Sequence, residues 1–178
     1  MGRTPALLPA LATVLLLVGD VCPAHAQVSE AAVKAAFLPK IARYVEWPSR
    51  AMAAGGSLQL CIVGADPFGR LMDEAVVGQT VADRPVVVRR MNGGEQVAGC
   101  HVAFLRGPTA LRALPSLRGR PVLTVTDSRD GQARGMVHFA RKGERVSFHI
   151  DDVLAREAGL SISSRLLAIA LSVRTRPS

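Results

Sequence analysis

Two histidines, His138 and His149, lie on either side of a glycine-containing turn, and imidazole both ligates metals and titrates at about 6.5. Zinc binding or acid sensing is therefore the chemistry open to them. No third ligand accompanies them, so the bland expectation is a solvated face without metal or cofactor. Cys61 and Cys100 are the other reactive pair. In an oxidising compartment two cysteines read as one disulfide, with buried free thiols or a redox-active pair as the remaining readings. Adjacent Cys100 and His101 start a strand, where neighbouring side chains point to opposite faces, so they do not suit one metal ion.

Asp66 sits in the turn Gly64-Ala65-Asp66-Pro67-Phe68-Gly69 after a strand, the place where open α/β sheets put ligands. The spacing is neither a dinucleotide nor a P-loop fingerprint, and Asp66 reads first as the cap of a helix running to Ala75, with Pro67 at its first position. Ser161 and Ser163 lack a G-x-S-x-G elbow. No nucleophile, base and orienter come together, and the chain is expected not to be an enzyme. Trp47, between Glu46 and Pro48, reads as a helix-end anchor or as a partner contact, for which tryptophan is enriched. The residues offered for partner or ligand contact are Glu46, Trp47, Asp66, Phe68, His138 and His149.

These residues need a scaffold, and composition bounds it. The chain has 178 residues, 49% hydrophobic and 20% charged, which is too apolar for disorder and suits one domain. Aromatics are only 4%, too few for platforms that stack single-stranded nucleic acid. The net charge is +8, and all 22 basic residues except Lys34, Lys40 and Lys142 are arginines, scattered along the chain. Arg3, the apolar run Ala10–Val18 and the sequence Ala24-His25-Ala26 form a secretory signal peptide with cleavage between Ala26 and Gln27. Residues 27–178 are then the exported domain, in which no stretch reaches the roughly 18–20 apolar residues of a membrane span. Export also removes Cys22 and makes nucleic acid an improbable partner.

Apolar spacing predicts a helix from Ser29 with Val33, Ala36, Phe37, Ile41, Tyr44 and Val45 on one face, kinked or split at Pro39 and ended by Trp47-Pro48. Strands are predicted at Leu58–Val63, Pro85–Arg90, His101–Leu105 and Val122–Thr126, and a short helix at Thr109–Leu114. A hairpin follows, Gly135–Ala140 with Arg145–Asp151. Pairing 141 with 144 sets 139 opposite 146 and makes His138 and His149 diagonal neighbours on the face away from Val137, Phe139, Val146, Phe148 and Ile150. Asp151-Asp152 starts a helix stopped by Gly159, and a last helix from Ser163 packs Leu166, Ile169, Ala170 and Val173 inward. The fold class is α/β: a single-domain sandwich with a mixed, mostly parallel sheet of about 5–6 strands, helices packed on it and a C-terminal antiparallel hairpin.

The order of these segments resembles the YfiR-like periplasmic family. The resemblance is carried by Lys34-Ala35-Ala36-Phe37-Leu38 with Tyr44-Val45-Glu46-Trp47-Pro48, then by Leu60–Gly69, Cys100–Leu105, Val122–Asp127, Val146–Asp151 and Gly159–Leu167. It covers roughly Ala32 to Val173. The resemblance implies a non-enzymatic periplasmic protein that holds an inner-membrane diguanylate cyclase inactive through that enzyme's periplasmic sensor domain, lowering cyclic di-GMP and biofilm formation. A homodimer is the other association considered. By position Cys61 and Cys100 resemble one of the family's disulfide pairs; the second pair is absent here.

Overall fold

In the computed structural model, residues 29–52, 56–92, 97–130 and 134–176 are described. The signal segment and its cleavage site at Ala26 and Gln27 lie outside them. Ser29 caps helix α1 (Glu30–Ala42), its hydroxyl accepting the Ala32 N–H at 3.1 Å. Strand β1 (Val45–Glu46) and a 3-10 turn (Ser49–Ala51) lead to β2 (Leu58–Gly64), α2 (Arg70–Val76), β3 (Thr80–Val81) and β4 (Arg84–Met91). Then come β5 (Val102–Arg106), α3 (Pro108–Leu111), α4 (Leu114–Leu117), β6 (Leu123–Asp127) and the hairpin β7 (Val137–Lys142) and β8 (Arg145–Asp151). Helix α5 (Asp152–Glu157), β9 (Ser161–Ile162), α6 (Ser164–Ala168) and β10 (Ser172–Arg174) complete the order.

The eight-stranded sheet runs β10-β8-β7-β6-β5-β2-β4-β3, and β1 pairs antiparallel with β9 in a separate two-stranded ribbon. Strands β4, β2, β5, β6 and β7 are mutually parallel, with β2 first in the chain, β4 to one side and the rest to the other. That is the doubly wound order whose direction reverses between β2 and β5. Period-two alternation sorts the core by face. Leu58, Leu60, Ile62, Phe104, Val125, Phe139 and Ile150 point to the face covered by α1, α2, α5 and α6. Cys61, Val63, Ala103 and Leu105 point to the other, where Ala110 of α3 and Leu117 of α4 cover them.

The expected class stands, and several details are corrected. The sheet has eight strands rather than five or six, because short strands at both margins are recruited by their neighbours. Helix α1 runs through Pro39 without splitting, and its buried stripe is Lys34, Ala35, Leu38, Pro39, Ile41 and Ala42, one residue out of phase with the predicted face. It ends at Ala42 because Val45, a β-branched residue, gains a strand partner in Ile162 and a place in the core. The predicted single helix at Thr109–Leu114 is two one-turn pieces, α3 and α4, and Pro115 lies inside the second. The last predicted helix stops at Ala168; the chain then adds β10 parallel to β8, and Ile169 is exposed rather than packed.

The hairpin register differs by two. Lys142 pairs with Arg145, and Gly143-Glu144 form a two-residue loop, the length that suits the strand twist; Gly143 has the positive φ of +61°. Phe139 therefore faces Phe148 and His138 faces His149 directly. An even shift leaves each side chain on its predicted face, which is why Val137, Phe139, Phe148 and Ile150 still share the core.

Cys61 and Cys100 form a disulfide with a Cα–Cα distance of 5.9 Å, joining β2 to the residue pair that precedes β5. It closes a sequence separation of 39 residues. In the chain-entropy account this stabilises the fold by roughly 3–4 kcal/mol. Thiol labelling under denaturing conditions should find neither cysteine free, and Cys61→Ser should lower the unfolding free energy measured by urea titration by about 2–4 kcal/mol.

Candidate functional site

The residue set singled out from the sequence does not converge. Phe68 is core: it is 3% exposed, and its ring lies 4.8 Å from that of Phe104 between centroids. Asp66 does not cap α2. Its Oδ1 accepts the N–H groups of Phe68 at 2.8 Å and Gly69 at 3.2 Å, closing a turn ahead of the helix, whose N-cap is Gly69. Its Oδ2 accepts from Arg90 Nε at 2.8 Å, and the same guanidinium also grips Asp73. Burial pushes the Asp66 carboxyl up, but the combined hydrogen bonds from Arg90, Phe68 and Gly69 outweigh it and hold the group below its ordinary range.

At the switch point the last residues of β2 and β5 are register partners, and a Cβ on Gly64 would stand 2.2 Å from the Arg106 carbonyl oxygen. Gly64 takes a φ of +86° to allow this approach, a conformation natural to glycine. Asp66 itself is exposed, with its three hydrogen bonds all to groups of the fold.

Trp47 acts as an anchor. Its Nε1–H donates to the His101 carbonyl at 3.2 Å, and the two rings meet edge to face. His101 is itself pinned: Nδ1 accepts the Gln59 N–H at 2.9 Å and Nε2–H donates to the Ala51 carbonyl at 3.0 Å. This fixes the neutral tautomer, consistent with a pKa lowered chiefly by burial. One residue from Cys100, this node clamps the segment after β1 onto the amino ends of β2 and β5. Glu46 is exposed on β1, next to Tyr44, which is 41% exposed.

His138 is 3% exposed, so the expectation of a solvated histidine face fails for it. Thr126 Oγ1 lies 2.8 Å from its Nδ1. Burial first, then the charges of Arg134, His149 and Lys34, bring its pKa down to about 4, against the opposing pull of Asp127. His149 is half-exposed, with Ser172 Oγ 2.7 Å from its Nδ1.

One pair of deeply buried charges could not be paired from the sequence. Lys34 Nζ lies 2.5 Å from Asp127 Oδ2 and 2.5 Å from Glu30 Oε1, with Lys34 3% and Asp127 2% exposed. Glu30 in turn accepts from Arg129 Nη2 at 2.6 Å. Only the Glu30–Lys34 spacing of i, i+4 was visible in advance; Asp127 is 93 positions from Lys34. The cluster bolts the first turn of α1 to the carboxyl end of β6. Lys34 also lies 5.8 Å above the Phe139 ring.

Fold and site together define a disulfide-braced, doubly wound α/β domain. The chain belongs to the YfiR/HmsC-like family, whose sequence model matches residues 31–171. Among curated proteins none matches it. No helix among the described residues is long and apolar enough to cross a membrane.

Two predictions follow from the charge cluster. Lys34→Met should cost about 3–5 kcal/mol in chemical denaturation, because it strands a buried carboxylate, and adding Asp127→Leu should recover most of that loss. The second concerns pH. The Lys34 hydrogen bond, assisted by Arg129 and opposed by burial, lowers the Glu30 pKa from 4.5 to about 2. A carboxyl depressed on folding contributes stability above its unfolded pKa and loses it as pH falls through the folded one. Wild-type stability should therefore fall between pH 4.5 and about 2, and Glu30→Gln should flatten that part of the profile.

Proposed function

We propose that this chain is exported, cleaved between Ala26 and Gln27, and works in the periplasm as a binding regulator. In this reading it represses an inner-membrane diguanylate cyclase by docking on the enzyme's periplasmic sensor domain, lowering cyclic di-GMP and biofilm formation. The observation that carries the proposal is membership of the YfiR/HmsC-like family across residues 31–171. The Cys61–Cys100 disulfide supports an oxidising compartment. The role needs a stable domain whose affinity differs between two states of its partner, and a coupling of about 1–3 kcal/mol is enough to shift an enzyme usefully.

Of the residues offered for contact, Glu46 and Trp47 suit docking best, together with the neighbouring Tyr44, which the sequence had placed on the inward helix face. Tyr44 and Glu46 face solvent, while Val45 and Trp47 fasten the segment from beneath. A rigidly held aromatic beside a carboxylate loses little entropy when a partner covers it.

Co-purification of the exported domain with the cyclase's periplasmic domain tests the proposal. A stable complex is expected, weakened at least tenfold by Tyr44→Ala with Glu46→Ala, together with raised cyclic di-GMP on deletion of the gene. Absence of a complex with unchanged cyclic di-GMP would remove the proposal.

A further inference from the structure

Thr126, His138, His149 and Ser172 stand side by side on four adjacent strands, each the register partner of the next. All four project to the face opposite the Phe139–Phe148 core. Each imidazole is held from its outer flank, His138 by Thr126 at 2.8 Å and His149 by Ser172 at 2.7 Å, both through Nδ1. Thr126 Oγ1 is itself fixed by the Gly135 N–H at 2.9 Å. The two rings face each other across the hairpin with centroids 6.4 Å apart and planes inclined by 31°.

We propose that His138 and His149 form a two-imidazole site for a borderline divalent transition-metal ion, Zn²⁺ being the reference case, with Thr126 and Ser172 orienting the ligands. Metal-bound histidines almost always give their second ring N–H to an oxygen, and here each Nδ1 already has a hydroxyl in place, leaving both Nε2 lone pairs for an ion. In that state each Nδ1 carries the proton and donates it. Thr126 Oγ1 then accepts from both Gly135 and His138, which its two lone pairs permit.

Metal–nitrogen bonds of about 2.0–2.1 Å place two ligating rings about 5–6 Å apart, close to the 6.4 Å between these centroids. The charges around His138 are mixed: Arg134 and Lys34 oppose a cation and Asp127 favours one. No group of three or more His, Cys, Asp or Glu residues gathers among the described residues, so the remaining coordination positions fall to water or to a partner's side chain.

Zn²⁺ titrated into the untagged protein, read by long-range ¹H–¹⁵N imidazole spectra, tests the site. The Nε2 resonances of His138 and His149 should move together at one ion per chain, while those of His101, whose nitrogens are both engaged, stay in place. His149→Ala should lower Zn²⁺ affinity at least tenfold without lowering the melting temperature. Ser172→Ala should lower it by a factor of up to about ten. No movement of either resonance, movement of His149 alone, or an affinity indifferent to His149→Ala would each overturn the assignment.

Discussion

A lysine with 3% of its surface exposed is stable in a protein interior only if its charge is answered, and Asp127 answers Lys34. The arrangement of α1 on the sheet rests on that contact. It sets the rotation of the helix, placing Lys34, Ala35, Leu38, Ile41 and Ala42 inward and leaving Val33 and Phe37 at the flank. Phe37 still meets Phe148 edge to face, with centroids 6.5 Å apart. A helix apolar on several sides could dock in more than one rotation; a buried ion pair accepts one. Specificity is the clearer product here, since buried pairs add little net stability over well-packed apolar groups.

A second constraint acts on the far side of the sheet. The disulfide, the Trp47–His101 hydrogen bond and the His101 bridge between Gln59 and Ala51 all fasten the amino ends of β2 and β5. At the carboxyl ends of the same strands, Gly64 lets the backbone of β2 come close to Arg106 of β5. The central pair is thus tied at both ends, with Asp66 and His101 engaged by neighbouring groups of the fold. In the docking role proposed above, that fastening would keep the surface presented to a partner in one shape.

Legibility in the sequence followed the range of the interactions. The strands at 58–64, 84–91, 102–106 and 123–127 were readable because short, largely apolar runs between glycine and proline punctuation need only local information. The Cys61–Cys100 pair was readable by counting, and the face of the hairpin survived a register error because that error was even. Strands β1, β3, β9 and β10, with two or three residues each, exist only through their neighbours. The burial of Lys34 was not legible for the same reason: its partner stands 93 positions away. The polar row was half legible, with the histidines visible as residue types and Thr126 and Ser172 concealed until strand order brought them alongside.

The outermost strands β3 and β10 pair with the sheet over two and three residues respectively. A β-sheet border is a template on which foreign backbone can grow, and its length decides how far growth can go. Beyond those few pairs the border is the outer flank of β4 and β8 themselves, and on β4 it is blunted by charge, the exposed Arg89 and Arg90 standing along it. The sheet can therefore stay wide without seeding fibrils, a property of use to any protein that must persist in a crowded compartment.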